Sequence, residues 1–423
     1  MDNKLYLTIR DEAIKVYLNT VYPLLLKHRA IAVGKKDKIK VVLFAMNEAM
    51  WRYQGIYELL SQEDRFDCHI VLTVANNLKK QQCDDLQQIR RFFRSQSIEF
   101  YDYDDKQNKA FDVKKHIDPD IVFYPQPYRN IYPPEHDFNV FSDKLLCYIP
   151  YSIIVVKEAD WVYDLRFHNL AWKIYLPLKW ESEMAAKVAK NKGSNVVTSG
   201  YLNLDRYLND SATDVWKVKD HRLKRLIWAP HFSVDSERCW LKGRANFLWL
   251  SQLMLEIADQ YKDLLQIAFK PHPRLKTELY DHPDWGKDKT DRYYERWNTM
   301  ENTQLEMGDF VDLFMTSDAM IHDSGSFTAE YLYVNKPVAF TTKDINSLMD
   351  DHSEFGRDAL KQHYVVGDEE DLRSFIDNVI IGGIDPMAQQ RTEFFETVLK
   401  PNVTGTTSQF IVNDIKKSLH LNE

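Results

Sequence analysis

Short apolar runs alternate with helix-like segments in two successive series, and nothing else constrains the fold of this 423-residue chain as strongly. The first series starts at residue 38. "IKVVLFAM" is almost continuously apolar, as a strand buried on both faces requires. Helix-like "YQGIYELLSQ" follows, then "CHIVLTV", the helix-like "CDDLQQIRRFFRSQ", and strand-like "SIEFYDY", "DPDIVFYPQP", "KLLCYIP", "WKIYLP" and "SNVVTSG". The rhythm breaks over residues 205–225, "DRYLNDSATDVWKVKDHRLKR", which reads as a linker. It then restarts: "LIWAP", a helix "NFLWLSQLMLEIADQY", "LLQIAFKP", a helix "GDFVDLFMTSD", "AMIHD", a helix "SFTAEYLYV", "PVAF", "HYVVG" and a helix "EEDLRSFIDNVI". Alternation of this kind calls for mostly parallel sheets covered by helices on both sides.

The expected fold class is therefore α/β, with two doubly wound, Rossmann-like domains facing a central cleft. Residues 1–37 form an N-terminal helical segment, 38–215 one domain, 216–405 the second. Residues 406–423 form an amphipathic helix expected to pack back on the N-terminal domain. In the first helix Ile14, Leu18, Val21 and Leu25 share one face at 4-3-4 spacing, with Asp11 as N-cap. A net charge of −8 and a pI near 5.9 exclude a general nucleic-acid binder. The chain has no apolar run of about 18 residues and its first residues do not read as a signal peptide. A cytoplasmic protein is expected. Basic residues close the apolar stripe of the first helix, which leaves peripheral contact with the inner membrane face open.

In doubly wound sheets ligands sit outside the carboxyl ends of the strands. Three strand ends in the second series are rich in chemistry. "WAPHFS" carries His231 and Ser233. "FKPHPRLK" carries Lys270, His272 and Arg274, with His272 held between prolines. "IHDSGSFTAE" carries Asp323, Ser324, Gly325, Ser326 and Thr328, with Glu330 one helical turn after Ser326. If these strands are neighbours, the loops converge on one crevice suited to a diphosphate. A helix start offers free N–H groups, a small residue lets backbone approach oxygens, and histidines donate. Glu330 would accept from ribose hydroxyls. No G-x-G-x-x-G, no P-loop and no H-E-x-x-H is present, which disfavours hydride transfer and P-loop hydrolysis. A metal-independent, cofactor-free site is expected, with protein cations balancing the phosphates.

The first series carries a second polar set at its strand ends. Asn47, Glu48, Trp51 and Arg52 follow the first strand. Gln126, Tyr128, Arg129 and His136 follow another, and Tyr151 a third. An aromatic and polar lining suits a sugar or polyol acceptor. A hydroxyl nucleophile calls for a general base, with His168, His136 and Glu48 as candidates.

Together, "WAPH", "FKPHP", "TSDAMIHDSGSFTAEYLYVNKPVAF" and the terminal "TGTTSQFIVNDI" resemble the CDP-glycerol glycerophosphotransferases of the GT-B fold, which build teichoic-acid-like and capsular polymers. The resemblance covers essentially the whole C-terminal half. In the N-terminal half "NEAMWRYQGIYELL" and "VVTSGYLNLDRY" fall where the family's first helix and domain exit belong. It implies transfer of glycerol phosphate from CDP-glycerol, with CMP leaving. On the matching positions, His272 would contact the donor diphosphate, Ser324, Gly325, Ser326 and Thr328 would line the phosphate loop, and Glu330 would sit near the ribose. The chain departs from the family twice. A Trp-His-Gly-Thr-Pro motif supplies the base in polymerising members, and the corresponding strand end here is "CYIPYS". The family's Ala-Pro-Thr-x-Arg is here "APHFS". Rival readings keep the fold: a glycosyltransferase using a UDP-, GDP- or CMP-sugar, or a nucleotide-sugar 2-epimerase, whose Ser-Gly loop usually continues with paired glutamates where Glu330 stands alone. A non-catalytic nucleotide- or polymer-binding protein is the third.

Overall fold

The computed structural model describes residues 3–75, 82–128, 130–157, 162–208, 212–234, 244–401 and 403–421. The chain forms two compact units. One comprises Met1–Tyr151, Glu158–Asp205 and Pro401–Glu423, the other Ser152–Lys157 and Arg206–Lys400.

In the first unit six strands, β1 (Ile39–Ala45), β2 (Phe66–Leu72), β3 (Ile121–Tyr124), β4 (Leu145–Tyr148), β5 (Lys173–Leu176) and β6 (Val196–Thr198), lie in the order β2-β1-β3-β4-β5-β6. All pairings are parallel, with Val41 opposite Cys68 on one side and Ile121 on the other. Val41, Val42, Leu43 and Phe44 are all buried, because helices cover both faces and no side of β1 meets water. "SIEFYDY" does not form the expected strand. It contributes one isolated bridge, Tyr101 to Val71, after which Asp102 and Asp105 turn to the guanidinium of Arg90, at 2.8 and 3.1 Å.

The N-terminal helix spans Asn3–Gly34, so Asp11 lies inside it and pairs with Lys15 rather than capping it. Its buried stripe is Leu18, Leu26, Ala30 and Val33; Ile14, Val21 and Leu25, expected on that face, are exposed. The C-terminal helix Thr407–Ser418 packs on the helix Gln54–Ser61 and inserts Ile411, Val412 and Ile415 into the core of this unit. Asp205 caps its start, accepting from the N–H groups of Thr407 (2.6 Å) and Ser408 (2.8 Å). Gly200 has φ +92°, and a β-carbon there would stand 2.7 Å from the Pro401 ring. "VVTSGYLNLDRY" and "TGTTSQF", 200 residues apart, thus form one structural joint.

The second unit repeats the plan with β7 (Lys224–Ala229), β8 (Leu265–Phe269), β9 (Thr303–Leu305), β10 (Ala319–His322), β11 (Val338–Thr341) and β12 (Tyr364–Val366), in the order β12-β11-β10-β7-β8-β9 and all parallel. Trp228 anchors the core on one face, stacking on Phe247 and Phe269 with ring centroids 5.9 and 5.0 Å away. Much of the expected linker packs on this unit. Trp216 is buried, donates to Thr316 Oγ1 at 3.0 Å and lies under the Arg225 guanidinium; residues 209–211 lie outside the described residues. No described helix is long and apolar enough to cross a membrane.

Candidate active site

In the second sheet the chain runs β7-β8-β9 to one side, then returns to lay β10, β11 and β12 on the other. The topological switch point, where doubly wound sheets open a crevice, therefore lies between β7 and β10. The three polar strand ends belong to β10, β7 and β8, three consecutive strands. His231, His272 and the loop from Asp323 to Ser326 come to one edge because of that order.

The histidines share a local device. Nδ1 of His231 accepts from the backbone N–H of Ser233 at 3.3 Å, Nδ1 of His272 from Arg274 at 3.1 Å, and Nδ1 of His322 from Ser324 at 3.2 Å. A backbone N–H can only donate, so each neutral ring carries its proton on Nε2. Burial holds the rings neutral. It pushes His231 down to about 2, helped by His272, Arg244 and Arg274, and His272 down to about 3, helped by Arg274 and Lys270. His322 is driven well below the ordinary imidazole range by burial, His363 and Arg244. The His231 and His272 rings lie 5.6 Å apart, edge to face, with Phe232 against both and the Arg274 guanidinium 4.0 Å over Phe232. The edge therefore carries neutral N–H donors beside fixed cations.

Asp323 binds the loops rather than a ligand. One oxygen accepts from the His231 N–H at 2.6 Å; the other accepts from the backbone and side-chain N–H groups of Asn246 at 3.3 and 3.1 Å. Burial pushes its carboxyl up to about 6 against those donors and Arg244. The expectation that Asp323 touches the donor is corrected accordingly. Thr328 is likewise internal, buried with its hydroxyl donating to Ser324 O at 3.0 Å. Lys270 donates to Gly308 O at 2.7 Å, fastening the loop after β9, and exposed Arg274 also pairs with Glu278. Ser326 starts the helix Phe327–Glu330 without a side-chain cap bond. Among the described residues the hydroxyls of Ser324 and Ser326 have no hydrogen-bond partner, so they remain available, beside Gly325, at the edge. Glu330 is buried at the end of that short helix.

Sequence reasoning missed the deepest part of the site. Arg244, fully buried, donates from Nη2 to Nε2 of His352 at 2.8 Å. His352 keeps its own proton on Nδ1, facing Leu348 O at 2.6 Å. A β-carbon on Gly325 would meet Arg244 Nη1, so the guanidinium lies directly against the phosphate-type loop. His363 stands beside His322, ring centroids 5.2 Å apart. Arg244 belongs to no motif; the one signal was a glycine between two serines, which marks a close approach. Lys336, from the "NKP" motif, donates to the carbonyls of Phe314, Met315 and Ser317, closing the helix Val311–Thr316 rather than meeting a ligand.

In the first unit the corresponding switch point lies between β1 and β3. Asn47 caps the turn Glu48–Met50, accepting from Met50 N at 2.9 Å, and half-buried Glu48 begins that turn. Gln126 and Tyr128 follow β3; half-buried Tyr151 follows β4. Burial and nearby Tyr151 push the Tyr128 hydroxyl up to about 12. Trp51 is a packing residue, buried edge-on against Tyr53 and Phe93 at 5.5 and 4.9 Å. Arg52 is buried, and Arg129 lies outside the described residues. Both histidine candidates for the base are buried. His136 is fully buried with both ring nitrogens engaged, by Thr73 Oγ1 and Phe111 O. His168 is buried beside Tyr148, its backbone oxygen fixed by Asn195, and burial lowers it to about 4. His136 thus has no ring nitrogen left for a substrate proton, whereas the buried Nδ1 of His168 has no partner among the described residues. Half-buried Glu48 is the more accessible candidate.

Among the described residues no group of three or more His, Cys, Asp or Glu side chains is arranged to hold a metal ion. Two all-parallel six-stranded sheets, with polar strand ends at each switch point, are the architecture of GT-B enzymes. Residues 174–379 match the family described as CDP-Glycerol:Poly(glycerophosphate) glycerophosphotransferase. Over that stretch, just under half of its length, the chain is similar to glycerophosphotransferases of this family. Solved structures agree on the fold. The wall teichoic acid polymerase TagF superposes with TM-score 0.61 at 14% identity, covering 99% of this chain and 98% of that one. Staphylococcus aureus MnaA, in a co-structure with UDP, gives 0.56 at 17% identity over 92% and 98%. A Listeria monocytogenes structure named for a UDP-N-acetylglucosamine 2-epimerase gives 0.57 at 13% over 92% and 98%. No curated protein sequence matches the chain.

Proposed function

We propose that the chain moves glycerol phosphate from CDP-glycerol to a hydroxyl of a glycan, polyol or lipid-linked acceptor in cell-surface polymer synthesis. The donor diphosphate lies against the loop Ser324–Ser326, with His231 and His272 donating from Nε2 and Arg244 charged behind Gly325. Glu330 serves the ribose. One observation carries this reading: three neighbouring strands each lead into a histidine whose Nδ1 accepts a backbone N–H, which leaves the proton on Nε2, and the third of them opens the loop of Ser324 and Ser326.

The acceptor oxygen attacks the phosphorus bearing glycerol. A new O–P bond forms, the bridging P–O bond breaks, and its electron pair leaves on CMP. Glu48 takes the hydroxyl proton, and Asn47, Gln126, Tyr128 and Tyr151 orient the acceptor. Positioning and fixed donors supply most of the rate, as in phosphoryl-type transfer generally. Peripheral contact with a membrane follows if the acceptor is lipid-linked. Calorimetric titration with CMP, CDP-glycerol, UDP and UDP-N-acetylglucosamine tests the donor site. Selective binding of the cytidine compounds, lost in His272→Ala, is expected; preference for the uridine compounds would overturn it.

A further inference from the structure

The helix Asn3–Gly34 buries one stripe and leaves a second one bare. Of sixteen exposed large apolar side chains among the described residues, eight lie on this helix, so the exposure is local. Leu7, Ile14, Tyr17, Val21, Leu24 and Leu25 are 41–62% exposed. Positions 7, 10, 14, 17, 21, 24, 28 and 31 alternate steps of three and four. They hold Leu7, Arg10, Ile14, Tyr17, Val21, Leu24, His28 and Ile31. That period of 3.5 residues is the seam of a helix that packs along another helix. The stripe that faces the unit's own core is a different one, so the seam is a second face.

We propose that a second copy of this chain docks on this seam, the two N-terminal helices packing antiparallel about a two-fold axis. The geometry of the seam is self-complementary, although Asp11 and Glu12 are already paired with Lys15 at 3.1 and 2.8 Å and exposed Arg10 stands beside them, so charge does not set the orientation. Reversal about the midpoint between Tyr17 and Val21 puts Ile14 on Leu24 and Tyr17 on Val21, a self-complementary contact as a two-fold interface requires. Area agrees: six half-exposed side chains cover roughly 500 Å² per helix, about 1,000 Å² in a pair, the lower bound for a specific interface. Cations outnumber the two acids Asp11 and Glu12 on this helix, so a lipid surface is the competing occupant that the vesicle arm below decides.

Sedimentation velocity on the full chain between about 1 and 100 µM, the range suited to so small an interface, tests this. A reversible monomer–dimer equilibrium is expected, with mass halved in Ile14→Glu/Leu24→Glu while circular dichroism and melting stay unchanged. For orientation, Tyr17→Cys and Val21→Cys variants are oxidised singly and mixed, against the unsubstituted chain. Cross-linking in the mixture above that of either alone is expected; efficient self-cross-linking of each alone overturns the antiparallel arrangement. A monomer at every concentration overturns the dimer. So does a monomer whose binding to anionic vesicles is abolished by the same two glutamates, which assigns the face to lipid.

Discussion

A β-carbon on residue 325 would stand 2.6 Å from Nη1 of Arg244. Glycine there is a spacing requirement and not a conformational one, since a side chain would press on a fully buried guanidinium already held by His352. Gly325→Ala should therefore displace Arg244 and weaken CDP-glycerol binding about tenfold or more, the loss of one hydrogen bond to a charged group. Arg244→Lys should weaken it too, because a point charge does not reproduce the fork. Calorimetric titration measures both, and unchanged affinity in both variants would remove Arg244 from the site.

His272 is half-buried and keeps its proton on Nε2. Losing a donor to a charged phosphate costs about 1.5–3 kcal/mol, so His272→Ala should weaken the donor roughly 10- to 150-fold. His272→Asn, which retains an N–H, should recover part of that loss.

Glu48 and His168 separate base from scaffold. Glu48→Gln should lower kcat at least a hundredfold with donor affinity intact. His168→Gln should lower the melting temperature while turnover per folded molecule stays within a few-fold. Collapse of kcat in folded His168→Gln would restore His168 as the base.

Acid should destabilise the fold early. His136, His168, His231, His272, His322, His352 and His363 are all held below the ordinary imidazole range, chiefly by burial. A depressed basic group contributes stability above pH 6.5 that is lost as pH falls toward its folded value, because the unfolded chain binds the proton more tightly. His136 and His168, both at about 4, would each forfeit on the order of 3 kcal/mol. Asp323, raised to about 6, acts the other way, as one group against seven. Melting temperature should fall steadily between pH 6.5 and 4; a flat profile would show that the histidines stay hydrated.

Lys336 should prove structural. Lys336→Met leaves the carbonyls of Met315 and Ser317 without their donor, while Phe314 O keeps Ser317, and should destabilise by about 1–3 kcal/mol. Donor affinity and kcat in the folded fraction should be unaffected, as denaturant titration beside steady-state kinetics can establish.

The fold was legible where its physics is local. Strands such as β1 and β7 are buried on both faces and appear as apolar runs, and their end loops carry the polar residues. Convergence of His231, His272 and Ser324 needed only the order of β10, β7 and β8. The short strand β9 and the helix Gly286–Thr299 escaped notice because "TQL" is too brief and "GKDKTDRYYERWNT" too polar to show periodicity. Arg244 was invisible because a buried cation leaves no pattern of its own. His136 and His168 misled for the opposite reason: residue type marks a titratable group, but only packing says whether water or substrate reaches it. Asp323 sat in the right loop, and its partners there are the loop's own N–H groups.

The joint made by Asp205 with Thr407 and Ser408 sets an order of events during synthesis. The first unit cannot complete its core until Ile411, Val412 and Ile415 have been made, and these follow the whole stretch from 206 to 400. The half that bears the histidine loops leaves the ribosome first in finished form. The other half waits, its core open, until Ile411, Val412 and Ile415 emerge. A truncation just before Thr407 should therefore leave the nucleotide-binding half folded and the N-terminal half exposed to proteolysis.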